Sequence, residues 1–448
     1  MATAKANVGD INTRPPTGRK ATQRERLLAG MLAAANRDGY ARANVSAVIA
    51  HAGVSRPTFY DYFADKDDCF LAVHRDISGR LLEQIRDAVA QAPPEQATQA
   101  AIRRLIQRAE AEPAEAQFLA NEAMAGGPRA LDERDRTIGE IERIIEQARA
   151  AIPPTAPAPD LPTRALIGGA HWLLSPRLRR GAHDYTAFAD ELIGWIESYN
   201  RPAGEHRWRT LRPGPPPRPS PHISELPMQA PPPLPAGRSR LSTAEIARNQ
   251  RERILYATAQ VATQKGYTAT TIVDIATVAR VDKRAFYTHF RDKQQAFLAA
   301  HELGFQQTMA IAAGAFFSTD TWPERIWRGI DAANQLTATH PAIARIGYVE
   351  SHAIGAPAIQ RIEDTRQAFT IFLQEGNQHT QPQTHTVMEA IAAAIFEIGY
   401  RQSRRGRADQ LPCLVYHATY LALAPFLGPD AAGEFIDGKL REATKQAA

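Results

Sequence analysis

The sequence predicts an all-α protein built from two tandem helical units. Three observations carry this: apolar residues recur at helical spacing along most of the chain, one segment repeats at a fixed offset, and a proline-dense stretch separates the copies. At 448 residues the chain exceeds one ordinary core. Its 44% hydrophobic and 23% charged residues are common globular usage, which excludes wholesale disorder and a fibrous architecture. No apolar run is long enough to span a bilayer, and the N-terminal stretch lacks the apolar centre of a secretory signal, so a cytoplasmic protein without membrane contact is expected. Cys69 and Cys413 are too few for a disulfide framework or a thiolate metal site and read as small buried residues.

Sliding the sequence by 227 positions aligns Arg24–His74 with Arg251–His301 without a gap, and 18 of 51 positions are identical. Chance at average composition gives roughly three. The shared residues include Arg24-Glu25-Arg26, Gly39-Tyr40, Ala52, Val54, Phe59-Tyr60, Phe63, Asp65-Lys66 and Phe70-Leu71. Within a copy, Leu27, Leu28, Met31, Leu32 and Ala35 mark a first helix that Gly39 closes in the left-handed region. Asn44, or Thr271 in the second copy, suits an N-cap for a short helix carrying Val45, Val48 and Ile49. Gly53 turns the chain, Ser55 caps the next helix, and Pro57 is tolerated in its first turn. Phe59 and Phe63, four apart, face inward. Two short helices around a tight turn match the helix-turn-helix unit that reads DNA.

The runs NVSAVIAHAGVSRPTFYDYFADKDDCFLA and TIVDIATVARVDKRAFYTHFRDKQQAFLA both resemble the DNA-binding domain of the tetracycline-repressor (TetR) family. The resemblance implies two fused regulators. It predicts a basic arm over 1–20, a first reader over 21–75, a first helical regulatory domain over 76–200, a Pro-rich linker over 201–240, a second reader over 241–300 and a second regulatory domain over 301–448. Twelve prolines lie between Pro202 and Pro235, which excludes helix or sheet there.

Charge follows the same division. Residues 1–75 carry 11 basic and 7 acidic side chains, residues 238–300 carry 11 and 5, the linker 201–237 carries 5 and 2, and the remainder 26 and 34. Basicity therefore gathers where phosphates would be neutralised, which points to double-stranded DNA as partner. In the first reader Arg56, Pro57 and Thr58 are placed against base edges, with Tyr60 and Tyr62 on phosphate. The corresponding residues of the second are Lys283, Arg284, Ala285, Tyr287 and His289. Lys66 and Lys293 suit a phosphate contact at the start of the following helix, and Asn44, Ser55 and Thr271 contribute from the caps. Arg280 stands where the first copy has its turn glycine, at a left-handed cost of about 1–2 kcal/mol. Arg14, Arg19, Lys20, Arg238, Arg240 and the run His206–Arg209 read either as minor-groove arms or as solvated tails.

Helical segments are expected near 68–91, 95–111, 115–124, 128–151, 163–180 and 184–199, with a parallel series from Pro323 to Leu427. By resemblance, the last two helices of each half form a four-helix interface. Leu166, Ala170, Leu173, Leu174, Phe188, Leu192, Trp195 and Tyr199 would face Ile391, Ile395, Ile398, Leu414, Ala418 and Leu421. An intrachain pseudo-dimer results, and pairing of two chains stays open. A linker of ~36 residues coils over roughly 33 Å and stretches to about 110 Å, which spans the about 34–36 Å between half-sites. A small-molecule effector is implied, with Phe118, Met124 and Trp172 lining a pocket in the first half, and Trp327, Tyr348, His352, Phe369, Phe372 and Tyr400 in the second. Each of these also suits a packed core.

No cofactor, metal or catalytic constellation is expected, and His379 and His385 sit in a Gln- and Thr-rich loop without metal spacing. The reading is a ligand-responsive repressor that binds an asymmetric or imperfectly palindromic operator. Alternatives are a DNA-binding protein without sequence preference, or a helical ligand-binding or scaffold protein with degenerate readers.

Overall fold

The computed structural model describes residues 22–152, 162–181, 184–199, 214–217, 230–234 and 241–447. The chain divides into two compact units, Met1–Val73 and His74–Ala448. The arm over 1–20, Arg238, Arg240 and His206–Arg209 lie outside the described residues. Among those residues every regular element is helical.

The first unit holds α1 (Gln23–Asp38), α2 (Val45–Ala52), α3 (Arg56–Tyr62) and the opening turns of α4 (Lys66–Ala90). Each start has its own side-chain cap: Thr22 and Glu25 form a reciprocal capping box on α1, Asn44 caps α2, and Ser55 caps α3 with Pro57 in the first turn. Leu27, Met31, Val48 and Phe59 are fully enclosed beneath these helices. Gly53 is left-handed at φ 61° and ψ 42°, as the turn requires, but Gly39 is not. Its φ of 78° and ψ of 148° fall in the mirror-image extended region that only glycine enters freely. At Gly30 a Cβ would lie 2.6 Å from the Val48 carbonyl oxygen, so α1 and α2 cross almost backbone to backbone.

The larger unit continues through α5 (Ala97–Ala111), α6 (Pro113–Gln117), α7 (Ala123–Ala125), α8 (Gly127–Arg149), α9 (Thr163–Arg180) and α10 (Tyr185–Glu197). A π turn over Phe118–Glu122 breaks what the sequence reads as one helix over 115–124. The second reader follows as α11 (Thr243–Ala269), α12 (Ile272–Ala279) and α13 (Lys283–His289). Gly266, at φ 73° and ψ 166°, kinks α11 at the position equivalent to Gly39. Then come α14 (Lys293–Phe316), α15 (Trp322–Thr339), α16 (Pro341–Tyr348), α17 (Ala356–Ala368), α18 (Ile371–Gln374), α19 (Gly376–His379), α20 (His385–Arg404), α21 (Val415–Leu427) and α22 (Pro429–Ala447). That last helix extends beyond the expected limit at Leu427.

One core cluster runs through the larger unit and joins Leu166, Leu173, Phe188 and Trp195 to Ile391, Tyr400 and Leu421. Helix α9 packs along α20, and a Cβ at Gly169 would stand 3.2 Å from the Ala394 nitrogen. Tyr199 accepts from Trp195 Nε1 (2.7 Å) and donates to the Leu421 carbonyl (2.8 Å). The described linker residues are docked rather than free. Gly214 N–H donates to Cys413 O (3.1 Å), Tyr416 Oη–H donates to Pro215 O (2.9 Å), and Asn249 donates to Pro232 O (3.1 Å).

Replacing Gly30 by valine is expected to destabilise the first reader by about 1–3 kcal/mol. Faster hydrogen exchange across α1 and α2, with α20 and α21 unchanged, is the measurement that checks it.

Candidate nucleic-acid interface

The readers share one backbone plan and differ in what they present. In the first, Ser55 Oγ accepts from Thr58 N–H (3.3 Å) and lies 2.8 Å from Thr58 Oγ1, which fixes the first turn of α3. Arg56 and Pro57 are exposed there, and Arg56 reaches only Ser46 Oγ, at 3.4 Å. Tyr60 and Tyr62 stand 52% and 43% exposed on the same short helix whose Phe59 is fully buried. Such exposed tyrosines offer hydroxyls outward. Asn44 Oδ1 is committed to capping Ala47 N–H (3.0 Å).

In the second reader Asp282 replaces serine as the cap and accepts from Ala285 N–H (2.7 Å). Lys283 and Arg284 are exposed, Ala285 is half-buried, and Tyr287 is 48% exposed with the Lys283 ammonium 5.9 Å from its ring centre. Thr271 caps α12 reciprocally with Asp274. His289 is half-buried against Gln250 Oε1 (3.3 Å), and burial, then the nearby Arg251, lowers its pKa. Arg280 takes the left-handed turn at φ 51° and ψ 48°, and its carbonyl accepts from Arg253 (3.0 Å). The turn therefore keeps its shape without glycine.

Two residues expected on phosphate are already engaged within the fold. The Lys66 ammonium lies 4.3 Å from the Tyr40 ring centre and donates to the Tyr40 (3.2 Å) and Ala43 (3.3 Å) carbonyls. Lys293 donates to three carbonyls, Tyr267 (2.9 Å), Thr268 (3.1 Å) and Thr270 (3.0 Å), which uses its whole donor capacity. Burial lowers its pKa. Both lysines pin the loop before the helix-turn-helix onto the following helix.

A cavity of about 160 Å³ lies in the second half, lined by Phe305, Phe316, Tyr348, Phe369, Phe372 and Phe396 among others. Of the six side chains expected there, Tyr348, Phe369 and Phe372 line it. Trp327 packs against Tyr416 (5.0 Å), His352 stacks on Trp172 (5.1 Å), and Tyr400 is fully buried beneath Arg134 (4.7 Å). In the first half a space of about 60 Å³ is bounded by His74, Leu105, Arg134 and His171. Phe118, Met124 and Trp172 do not bound it: Phe118 is fully enclosed core, Met124 borders a gap of about 10 Å³, and Trp172 borders both that gap and a more polar cleft of about 300 Å³ shared with Arg177, Arg180 and Arg366. Helical spacing selects the buried face of a helix, and most of that face is packed.

The sequence reading missed His74 and His301, which the repeat aligns and the structure buries beside the two cavities. Their identity at the end of the aligned block was the available signal. It also missed Glu350, which accepts from Tyr267 N–H (2.8 Å) and Arg345 (2.8 Å) and ties α16 to the second reader. No group of His, Cys, Asp or Glu among the described residues can hold a metal, and no described helix is long and apolar enough to cross a membrane.

This geometry defines a helix-turn-helix DNA-binding protein with two readers. The sequence profile of bacterial regulatory proteins of the tetR family matches twice, over residues 27–73 and 254–300, so the chain carries two helix-turn-helix DNA-binding domains of that kind in tandem. Solved structures of such regulators are similar. The transcriptional regulator FadR from Bacillus subtilis, in complex with stearoyl-CoA, is 17% identical at TM-score 0.36 over 38% of this chain and 96% of its own. The fatty acid degradation regulator FadR from Bacillus halodurans is 17% identical at TM-score 0.34 over 39% and 98%. A tetR-family regulatory protein from Rhodococcus RHA1 is 23% identical at TM-score 0.31 over 43% and 96%. No curated protein matches the chain in sequence.

Burial lowers His74, His301 and His417 from 6.5 to about 4. The folded state refuses protons that the unfolded chain takes, so their contribution is complete above about 6.5 and is lost as pH falls towards 4. Asp331, raised by burial from 3.8 to about 6, acts in the opposite sense over 3.8 to 6. Three groups outweigh one, so the urea midpoint is expected to be lower at pH 5 than at pH 7.5.

Proposed function

We propose that the chain is a ligand-responsive transcriptional repressor whose two unlike readers bind an asymmetric or imperfectly palindromic operator. The carrying observation is that the helix-turn-helix is built twice with equivalent caps, yet exposes Arg56 and Pro57 beside a half-buried Thr58 in one copy and Lys283 and Arg284 beside a half-buried Ala285 in the other. An arginine can pair bidentately with guanine, and the proline and threonine carbons suit a thymine methyl. The pairing of α9 and α10 with α20 and α21 supports an intrachain pseudo-dimer, in which one chain supplies what a homodimer otherwise supplies with two.

Arg56→Ala should weaken binding by about 1–3 kcal/mol and relax specificity in one half-site, and Arg284→Ala should do so in the other. A binding selection with purified protein at fixed salt checks both. Footprints confined to perfect palindromes covered by paired chains would remove the asymmetric reading.

The effector reading rests on the cavity of about 160 Å³ in the second half, against about 60 Å³ in the first. Its aromatic and aliphatic lining suits a compact apolar molecule of about benzene size, since a cavity of similar volume holds one. Helix α16 lines this cavity with Ile343, Ala344, Gly347 and Tyr348, and the same helix carries Arg345, whose partner Glu350 holds Tyr267 N–H at the kink of α11. A shift of α16 thus reaches the carbonyls that hold Lys293. Glu350→Gln is expected to keep DNA binding within about threefold while reducing the release of DNA by effector at least about fivefold, the lower end of usual coupling energies. Fluorescence anisotropy titrations with and without effector measure both.

A further inference from the structure

At the centre of the α9–α20 contact the halves are not alike. The sequences of these helices align at an offset of 225, which matches Ala165 with Ala390, Leu166 with Ile391 and Arg179-Arg180-Gly181 with Arg404-Arg405-Gly406. Gly181 and Gly406 both have positive φ, 64° and 68°, so the chain leaves both helices through a similar backbone turn. The same offset matches Trp172 with Glu397. These two equivalent residues touch each other: Trp172 Nε1–H donates to Glu397 Oε2 at 2.8 Å across 225 positions.

At Glu397 the guanidinium groups come from the first half and the carboxylate from the second, while the second half's Arg366 donates to the Trp172 carbonyl (3.1 Å) from the other side of the indole. Arg134 grips Glu397 with both terminal nitrogens, at 2.9 and 3.3 Å, and Arg164 Nε lies 3.7 Å from Glu397 Oε1. The Arg134, Arg164 and Glu397 side chains are only 2%, 5% and 1% exposed. Glu397 lies directly on the backbone of α9, since a Cβ at Gly168 would overlap its side chain, and the backbones approach one residue on, where a Cβ at Gly169 would stand 3.3 Å from the Ala390 carbonyl oxygen.

We infer that this buried cluster is a pairing code that makes the first half accept only the second half as partner and excludes the pairing of like halves. Two first halves would bring together paired copies of Arg134 and Arg164 without Glu397, leaving Asp135, which both already touch (3.1 and 3.3 Å), and Glu142, 3.8 Å from Arg164, against two guanidinium groups in each copy. Two second halves would set Glu397 against its own copy, with neither the indole donor nor Arg134. Removing one partner from a buried ion pair is strongly destabilising, whereas the intact pair contributes chiefly selectivity. The inference rests on the intrachain pairing proposed above, but not on DNA reading, so its failure would leave the operator reading untouched.

The test starts from the whole chain with a protease site inserted within residues 218–229. After cleavage, the protein is unfolded in urea and refolded by dialysis, so that every half selects a partner again, and native mass spectrometry counts the pairs. The wild type is expected to return unlike pairs alone. Glu397→Gln, and separately Arg134→Leu combined with Arg164→Leu and Glu397→Leu, should yield like pairs. Intact chains need no refolding: by light scattering at micromolar concentration the wild type should be a single chain, and Glu397→Gln should form chain pairs in part. A wild type that re-pairs at the statistical 1:2:1 ratio overturns the inference. So do variants that keep strictly unlike pairs and stay single chains.

Discussion

The larger unit depends on how closely α9 can approach α20. Gly168 and Gly169 on one helix and Ala390 and Ala394 on the other remove side-chain bulk from the crossing, so the backbones nearly touch. That proximity lets Tyr199 reach the Leu421 carbonyl and draws apolar residues of both halves into one continuous core. It also sets a demand, because a polar group at such a crossing cannot be hydrated and must find its partner on the facing helix. Glu397 meets the demand with one indole and two guanidinium groups from the other half. The two bodies are therefore one cooperative structure joined by helices distant in sequence.

The readers follow a different logic. Helices of seven or eight residues contribute little cooperative stability of their own, so side-chain caps and a few enclosed aromatics hold them. Phe59 and Phe286 anchor the reading helices from within, which leaves their outer faces free to vary. The cap itself changes from Ser55 to Asp282, and the turn from Gly53 to Arg280, without loss of the bond pattern. Backbone plan and exposed chemistry are thus separable, which is why one scaffold can appear twice in a chain with different faces.

The helical class, the repeat and the two short capped helices were legible in the sequence because each depends on local rules: spacing, caps and positive-φ glycine. Lys66 and Lys293 show where that legibility stops. A lysine at the start of a helix looks available for phosphate, but its partners here are carbonyls 23 to 26 residues back, which only the folded turn brings within reach. Trp327 and Tyr400 failed as cavity residues for a related reason, since spacing identifies a buried face and not the place where packing leaves space. The distinctness of Trp172 and Glu397 is visible in the sequence, but its meaning appears only when the two side chains are seen to face each other.

The meeting of Trp172 and Glu397 also bears on supply inside a cell. Two separate proteins that pair only with each other must be made in matched amounts, because any excess of one is left with a large apolar face and buried-type charges exposed to water. Such a face invites aggregation and degradation. A single translated chain fixes the ratio at one to one on every ribosome, at any level of expression. Covalent fusion then acts as control of dosage as well as of geometry.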